Sequence, residues 1–152
     1  MLTKVDTLIP RSRGCTVNQD LPLKGRRLLI VEDEALVALS IQDMLHAMGC
    51  LVVGTASNLH RGLAIACNES VVIDGAVLDI NLSGEQVYPV AERLKTRGVP
   101  FIFSTGYGHA GRAPSFAHVP TLNKPYEAED LEELLVSVLI RTEARQVRSG
   151  FD

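Results

Sequence analysis

Six side chains could do chemistry together if the fold gathers them: Glu32, Asp33, Asp79, Ser104, Thr105 and Lys124. Asp79 is the most telling. It ends the apolar run of "VLDINLSG", residues 77–84, which reads as a buried strand passing into a polar turn. An unpaired carboxylate is costly in such a place. Three carboxylates in one cleft repel one another and partly protonate unless a cation intervenes. Oxygen ligands without His or Cys favour Mg²⁺, or Mn²⁺ in its place, over zinc. Mg²⁺ takes one or two carboxylates and leaves coordination positions for phosphate oxygens. Lys124 adds a point charge and Thr105 a hydroxyl donor. Such a set suits the holding of three phosphoryl oxygens while charge moves in a transition state. Asp79 is then the nucleophile, and its attack on phosphorus gives an aspartyl phosphate.

These residues can meet only if the elements bring them to one edge. From Arg26 onward, apolar runs and helical patterns alternate five times. "RLLIVED", "CLVVGTA", "GAVLDIN", "PFIFST" and "PTLNKP" read as strands. "EALVALSIQDMLHAMG" is helical, with Val37, Ile41, Met44, Leu45 and Met48 recurring on one face and Gly49 as its stop. "NLHRGLAIACNE" is a second helix, capped by Ser57 or Asn58. "EQVYPVAERLKTRG" is a third, with Val87, Val90, Ala91 and Leu94 on one face and Pro89 in its first turns. "GYGHAGRAPSFAHV" is too rich in Gly and Pro for more than a short or irregular helix. "EAEDLEELLVSVLIRTEARQV" is the last helix, with acids in its first turns and arginines in its last. The strands are nearly continuous apolar runs, which implies a parallel sheet covered on both faces. The expected fold is therefore α/β, a doubly wound five-stranded parallel sheet with helices on both faces and an irregular fourth helix. Ligands bind beyond the carboxyl ends of such strands, and all six side chains fall there. The expected boundaries are a flexible arm at 1–25, the domain at 26–146 and a tail at 147–152.

Bulk properties fit one ordinary globular domain. The chain has 152 residues, nearly half of them apolar, and a net charge of −3. Basic residues are scattered, which argues against a nucleic-acid surface. No apolar run has the length of a membrane span, and the N-terminus lacks a secretory apolar region. Cys15, Cys50 and Cys67 have no metal-binding spacing and fit reduced thiols in the cytoplasm. His46, His60, His109 and His118 are dispersed and read as surface or loop residues.

The motifs together resemble the receiver domain of two-component response regulators. "VEDE" is similar to that family's acidic pair, "VLDINLSG" to its phospho-acceptor strand and loop, "STG" to its Thr/Ser motif and "NKP" to its Lys-Pro motif. The likeness spans about residues 26–142, with all four motifs in order, and implies the flavodoxin-like strand order 2-1-3-4-5. It implies a phosphorelay component that takes a phosphoryl group from a histidine kinase or histidine phosphotransfer protein. Asp79 is the implied acceptor and Thr105 and Lys124 the implied phosphoryl contacts. Asp33 is implied as a direct Mg²⁺ ligand, Glu32 as one acting through water, and the Asn81 backbone carbonyl as completing the shell. Pro125 is expected to follow a cis bond. Apolar residues off the core face of the first helix, Leu36 and Leu39, together with Tyr126, are the expected contact for the phosphodonor. The only expected catalysis is the domain's own phosphorylation and dephosphorylation.

Two departures bear on switching. Many receivers carry an aromatic on the fifth strand, three residues before the lysine; here Thr121 stands there. "PFIFSTGYG" resembles a subgroup, known mainly from alphaproteobacteria, with a Phe-x-Thr-Gly-Tyr type signature and a reduced fourth helix. That likeness makes Tyr107 the expected aromatic switch, alongside Thr105. Rival readings are weaker. An aspartate-nucleophile phosphatase resembles DxDxT on its first strand, and "EDEA" after the first strand would repel the phosphate of a flavin. A receiver-like binding module independent of phosphorylation has no need of the full acid-Asp-Thr-Lys set. The chain could equally be the receiver piece of a hybrid histidine kinase. Taken singly, Glu32, Asp33 or Asp79 could be no more than helix or turn caps.

Overall fold

A computed structural model describes residues 21–106 and 113–150, with side chains as far as Arg141. Tyr107, His109, Arg112 and the first 20 residues of the expected arm lie outside the described residues.

The first strand is β1, Arg27–Val31, followed by α1, Ala35–Ala47. Next come β2, Leu51–Ala56, α2, Leu59–Ala66, and β3, Gly75–Asp79. A two-residue hairpin, Asn81–Leu82 with Glu85–Gln86, leads into α3, Tyr88–Thr96. Strand β4, Phe101–Thr105, precedes a 3₁₀ turn at Pro114–Phe116; β5, Thr121–Asn123, and α4, Ala128–Gly150, follow. The strands form one parallel sheet in the order β2-β1-β3-β4-β5, as expected. No helix among the described residues is long and apolar enough to cross a membrane.

Strand alternation explains why both faces need helices. Leu29, Val31, Ala76, Leu78, Phe101 and Phe103 point into one core, under α2 and α3. Leu28, Ile30, Val77 and Ile102 point into the other, under α1 and α4. Every residue of β3 and β4 is buried, so these strands have no solvent face. Edge strand β2 departs from that pattern: Leu51 is 56% exposed. Its Val52 and Val53 pack against the two cores only partly buried, as befits a strand with no neighbour beyond it among the described residues.

Three local features refine the sequence reading. The buried stripe of α1 is Ala38, Ile41 and Leu45, continued by Met48; Val37 and Met44 are only half-buried at its edge. Asn58 is the α2 cap, its Oδ1 accepting from the Arg61 amide at 2.8 Å. The third helix starts at Tyr88 rather than Glu85, because Glu85 and Gln86 are taken by the hairpin, but Val87, Val90, Ala91 and Leu94 are fully buried as read. Among the described residues between β4 and β5 the helical element is the 3₁₀ turn Pro114–Phe116. An aromatic cluster covers the sheet here: Phe116 stacks on Tyr88 at 5.4 Å, and both lie edge-on to Phe103. The Tyr88 hydroxyl accepts from the Ala113 amide at 3.0 Å and anchors the segment entering that turn.

The ends of the domain differ from the expected boundaries. Leu23, placed in the arm by its Pro- and Gly-containing surroundings, has no exposed surface and sits in the core with Leu45, Cys50 and Leu139. The Cys50 thiol donates to the Leu23 carbonyl at 3.5 Å. At the other end, α4 continues through Gly150, past the expected start of the tail at residue 147. Replacing Leu23 with Ala is expected to cost roughly 2–5 kcal/mol, as for buried leucines generally. Urea unfolding measures it; a loss below about 0.5 kcal/mol would fit an exposed residue and contradict the packing.

Candidate functional site

Parallel register sets the site. Val31 pairs with Leu78, Asp79 with Ser104, and Thr105 with Asn123. The strands therefore end nearly level, and the residues at their ends meet. Glu32 lies beside Asp79, and the Lys124 amide donates to the Thr105 carbonyl at 2.8 Å. The Lys124–Pro125 bond is cis, as expected. Together these ends floor a cleft of about 430 Å³ lined by Asp33, Glu34, Asp79, Asn81, Ser83, Gly106 and Lys124.

Lys124 is the centre of charge. Its Nζ lies 2.9 Å from Glu32 Oε2 and 3.2 Å from Asp79 Oδ2, with Glu34 Oε1 at 4.0 Å. Glu32, Asp33 and Asp79 each offer an oxygen, and these oxygens lie within 4.8 Å of one another. One ammonium thus faces a cluster of acids that it cannot neutralise alone. The consequence shows in the Glu32 carboxyl, which burial pushes up to about 7. The Lys124 bond pulls it down, and the neighbouring Asp79 pushes it further up. Burial would lower Lys124, but the bond to Glu32 and the negative field of Asp79 hold it above its usual value.

Asp33 lives in a different environment from its neighbour. It is partly exposed, whereas Glu32 is 1% exposed. Burial tends to raise the Asp33 carboxyl, but the Ser83 hydroxyl, donating to Oδ2 at 2.7 Å, helps hold it below the usual range. The Glu34 amide donates to Glu32 Oε1 at 3.1 Å, so Glu32 also steadies the start of α1.

The loop after Asp79 is built by the hairpin. Ser83 and Gly84 both have positive φ, 54° and 96°, which a tight two-residue hairpin turn requires. The Asn81 side chain accepts from the Gly84 amide at 2.8 Å and closes the turn, while the Asn81 amide donates to Asp79 Oδ1 at 3.2 Å. Asp79 is therefore held at both oxygens, by an amide on one and an ammonium on the other. Thr105 is 3% exposed at the end of β4.

Of the residues singled out in the sequence, Glu32, Asp33, Asp79, Asn81 and Lys124 meet at the cleft, and Thr105 ends β4 beside it, its carbonyl accepting from the Lys124 amide; Ser104 is fully buried and does not line the cleft. Ser83 and Glu34 were missed. Ser83 belongs to the "SG" turn signal, but its hydroxyl's choice of Asp33 depends on a 50-residue separation in the chain. Leu36 and Leu39 are 82% and 54% exposed. Leu36 shares an apolar groove of about 290 Å³ with Met44, Lys124, Pro125 and Tyr126; Leu39 lies outside that lining. The groove meets the acid cleft at Lys124. Burial pushes the Tyr126 hydroxyl above its usual range, against the opposing pull of the Ser104 hydroxyl beside it.

The donor set fits Mg²⁺. It consists of oxygens alone, packed closely enough to share one ion, and their mutual repulsion is relieved by one. Glu32, Asp33, Asp79 and the Asn81 carbonyl are the residues that would hold it.

Comparison with known proteins agrees with this geometry. The family model described as "Response regulator receiver domain" matches residues 28–136. The solution structure of SdrG from Sphingomonas melonis Fr1 is 37% identical, covering 74% of this chain and 94% of SdrG, with a TM-score of 0.66. The BeF3-activated conformation of SdrG from Pseudomonas melonis Fr1 is also 37% identical, covering 72% and 92%, with a TM-score of 0.62. The response regulator PhyR from Brucella abortus is 27% identical with a TM-score of 0.71; the match covers 91% of this chain but 58% of PhyR. No curated protein sequence matches significantly. A parallel five-stranded sheet, an acid cleft at its carboxyl edge and a family match over most of the chain lead to one assignment: the chain belongs to the response regulator receiver family.

Proposed function

We propose that the domain is a cytoplasmic phosphorelay component whose Asp79 accepts a phosphoryl group from the phosphohistidine of a histidine kinase or histidine phosphotransfer protein. One observation carries this reading: the Asp79 carboxylate is held between the Asn81 amide and Lys124 Nζ, within 4.8 Å of two further acid oxygens. A merely structural aspartate would not need that company.

In the proposed step, an Asp79 oxygen attacks phosphorus in line with the leaving imidazole nitrogen. The oxygen–phosphorus bond forms as the phosphorus–nitrogen bond breaks, and the electron pair of that bond leaves with the imidazole. Mg²⁺, or Mn²⁺ in its place, supplies the extra positive charge against which the acids and the phosphoryl oxygens are brought close. Lys124, already at 3.2 Å from Asp79, turns from the carboxylate to the new phosphoryl oxygens. The Thr105 hydroxyl is the second contact, and its movement, with that of Tyr107, is the proposed switch. The BeF3-activated state of SdrG supports the reading, since that relative has an activated conformation of its own.

Leu36, Leu39 and Tyr126 are the proposed docking contact for the phosphodonor. The groove that Leu36 shares with Tyr126 opens directly onto Lys124, so a protein seated there would have its phosphohistidine at the acid cleft. The output is then protein contact, onward transfer, or drainage of a kinase.

Intact-mass spectrometry after acetyl phosphate treatment is expected to show one added phosphoryl group with Mg²⁺. The group should be absent with EDTA and absent in Asp79→Asn; an adduct that persists in the variant places the acceptor elsewhere. The double change Leu36→Ser, Leu39→Ser should slow transfer from a phosphodonor protein by roughly tenfold, equivalent to about 1.4 kcal/mol. Small-donor phosphorylation should stay unchanged. Equal slowing of both would mean a damaged fold. The Glu32 carboxyl gives a third test. Its value rises from 4.5 to about 7 on folding, so the folded metal-free protein binds the proton more tightly. That contribution to stability is full below pH 4.5 and is lost as pH rises through about 7. The melting temperature of metal-free protein should fall across this window, and Glu32→Gln or saturating Mg²⁺ should flatten the slope. A wild-type curve as flat as that of Glu32→Gln would contradict the environment described for Glu32.

A further inference from the structure

The largely apolar cleft at the other end of the sheet is unused by the chemistry above. It has a volume of about 360 Å³ and lies where β4 and β5 begin, between the end of α3 and the middle of α4. Its floor includes Phe101, Phe116 and Val138; its charged or titratable lining is Lys95, His118 and Arg141. Lys95 Nζ stands 5.8 Å from the centre of the Phe116 ring. No carboxylate is among the described lining residues.

That charge pattern is unusual for this molecule. The net charge is −3, and the carboxyl edge of the sheet and the first half of α4 are rich in acids. The 3₁₀ turn Pro114–Phe116 contributes to one wall of the cleft. Phe116, brought in by that turn, is both part of the core and part of the exposed floor.

We propose that this cleft is a docking site for an acidic segment of a partner protein. Apolar side chains of the segment would seat on Phe101, Phe116 and Val138, and its carboxylates would face Lys95 and Arg141. The volume suits anchoring side chains rather than a whole element; pockets that bury a drug-sized ligand run from about 300 to 1,000 Å³. Charge complementarity selects the occupant's sign. The chain's own first 20 residues have the wrong sign for it: they carry Lys4, Arg11 and Arg13 against Asp6 and Asp20. The site is separate from the groove beside α1, and β4 joins the two ends of the molecule, running from Phe101 at the cleft to Thr105 at the acid site.

The test uses the full chain without Mg²⁺ or phosphodonor, so its outcome is independent of phosphoryl transfer. A phage-displayed library of random dodecapeptides is selected on the wild-type protein. Binders rich in Asp or Glu around Leu, Phe or Met are expected. A labelled synthetic copy of the strongest binder is then titrated by fluorescence anisotropy. Lys95→Glu with Arg141→Glu should weaken it by at least roughly tenfold, added salt should weaken it too, and Leu36→Ser with Leu39→Ser should not. Lys95→Ala with Arg141→Ala should give a smaller loss in the same direction, with melting temperatures of all variants recorded. Binders that are neutral or basic, an absence of enrichment, or acidic binders indifferent to the charge reversal would overturn the proposal. Self-association of the wild type that the reversal abolishes would also overturn it, by making the occupant a second copy of this chain.

Discussion

Everything at the carboxyl edge of the sheet depends on one ammonium placed among acids. Lys124 reaches Glu32 and Asp79 at once, at 2.9 and 3.2 Å, and among the described residues no second lysine or arginine lines that cleft. Two buried carboxylates next to each other are unstable company, and a single cation only half resolves it. The protein tolerates the deficit because the strands cannot move apart. Asp79 sits on a strand buried over its whole length, and Lys124 follows a strand paired with β4 up to Thr105 and Asn123. The acid cluster is thus held together by hydrophobic packing some distance away, not by its own interactions.

That packing has an uneven design. One face of the sheet is covered by two helices with aligned leucines, from Ile41 and Leu45 on α1 to Leu131, Leu135 and Leu139 on α4. Gly75 allows the second contact to be close: a Cβ there would come within 3.0 Å of Leu139. The other face has α2 and α3, and then aromatics. Tyr88, Phe101, Phe103 and Phe116 fill with rings the space that a longer helix would fill with aliphatic side chains. Rings suit this, since each removes much apolar area from water with few rotatable bonds.

The sequence was most legible where one rule dominates. Strands buried on two faces must be apolar throughout, so β1, β3 and β4 stood out, and the strand order followed from the likeness to receivers. Strand-end acids, hydroxyl and lysine were legible because a parallel sheet sends all its carboxyl ends to one edge. What escaped depended on distance in three dimensions. Leu23 lies among Pro and Gly and has no periodic neighbours, so nothing local reports that the Cys50 region would receive it. Ser83 looked like turn chemistry alone, and its bond to Asp33 needed the fold. The α1 stripe was read correctly at Ile41, Leu45 and Met48, but Val37 and Met44 were counted in it and Ala38 was not, because Val37 and Met44 are as apolar as the residues that face the core. Periodicity cannot separate the edge of a buried face from its centre.

Glu32 and Asp33 show why the acidic pair is two residues and not one repeated. They are adjacent in the chain, yet the end of β1 directs the first inward and the second toward the cleft mouth. Inside, Glu32 has Lys124 and the Glu34 amide as donors, and burial leaves its carboxyl near neutrality's edge, at about 7. Outside, Asp33 has Ser83 and solvent, and its carboxyl stays below the usual range. Asp33 is therefore a charge that is always present to attract a cation, whereas the charge on Glu32 depends on which cation is near. In the proposed transfer Lys124 is drawn toward a phosphoryl group, and Glu32 loses part of its partner at that moment. A metal ion bound beside it would keep Glu32 ionised while the lysine is engaged elsewhere. On this reading the inner acid couples the two positive charges of the site, so neither can be removed without changing the protonation of the other's neighbour.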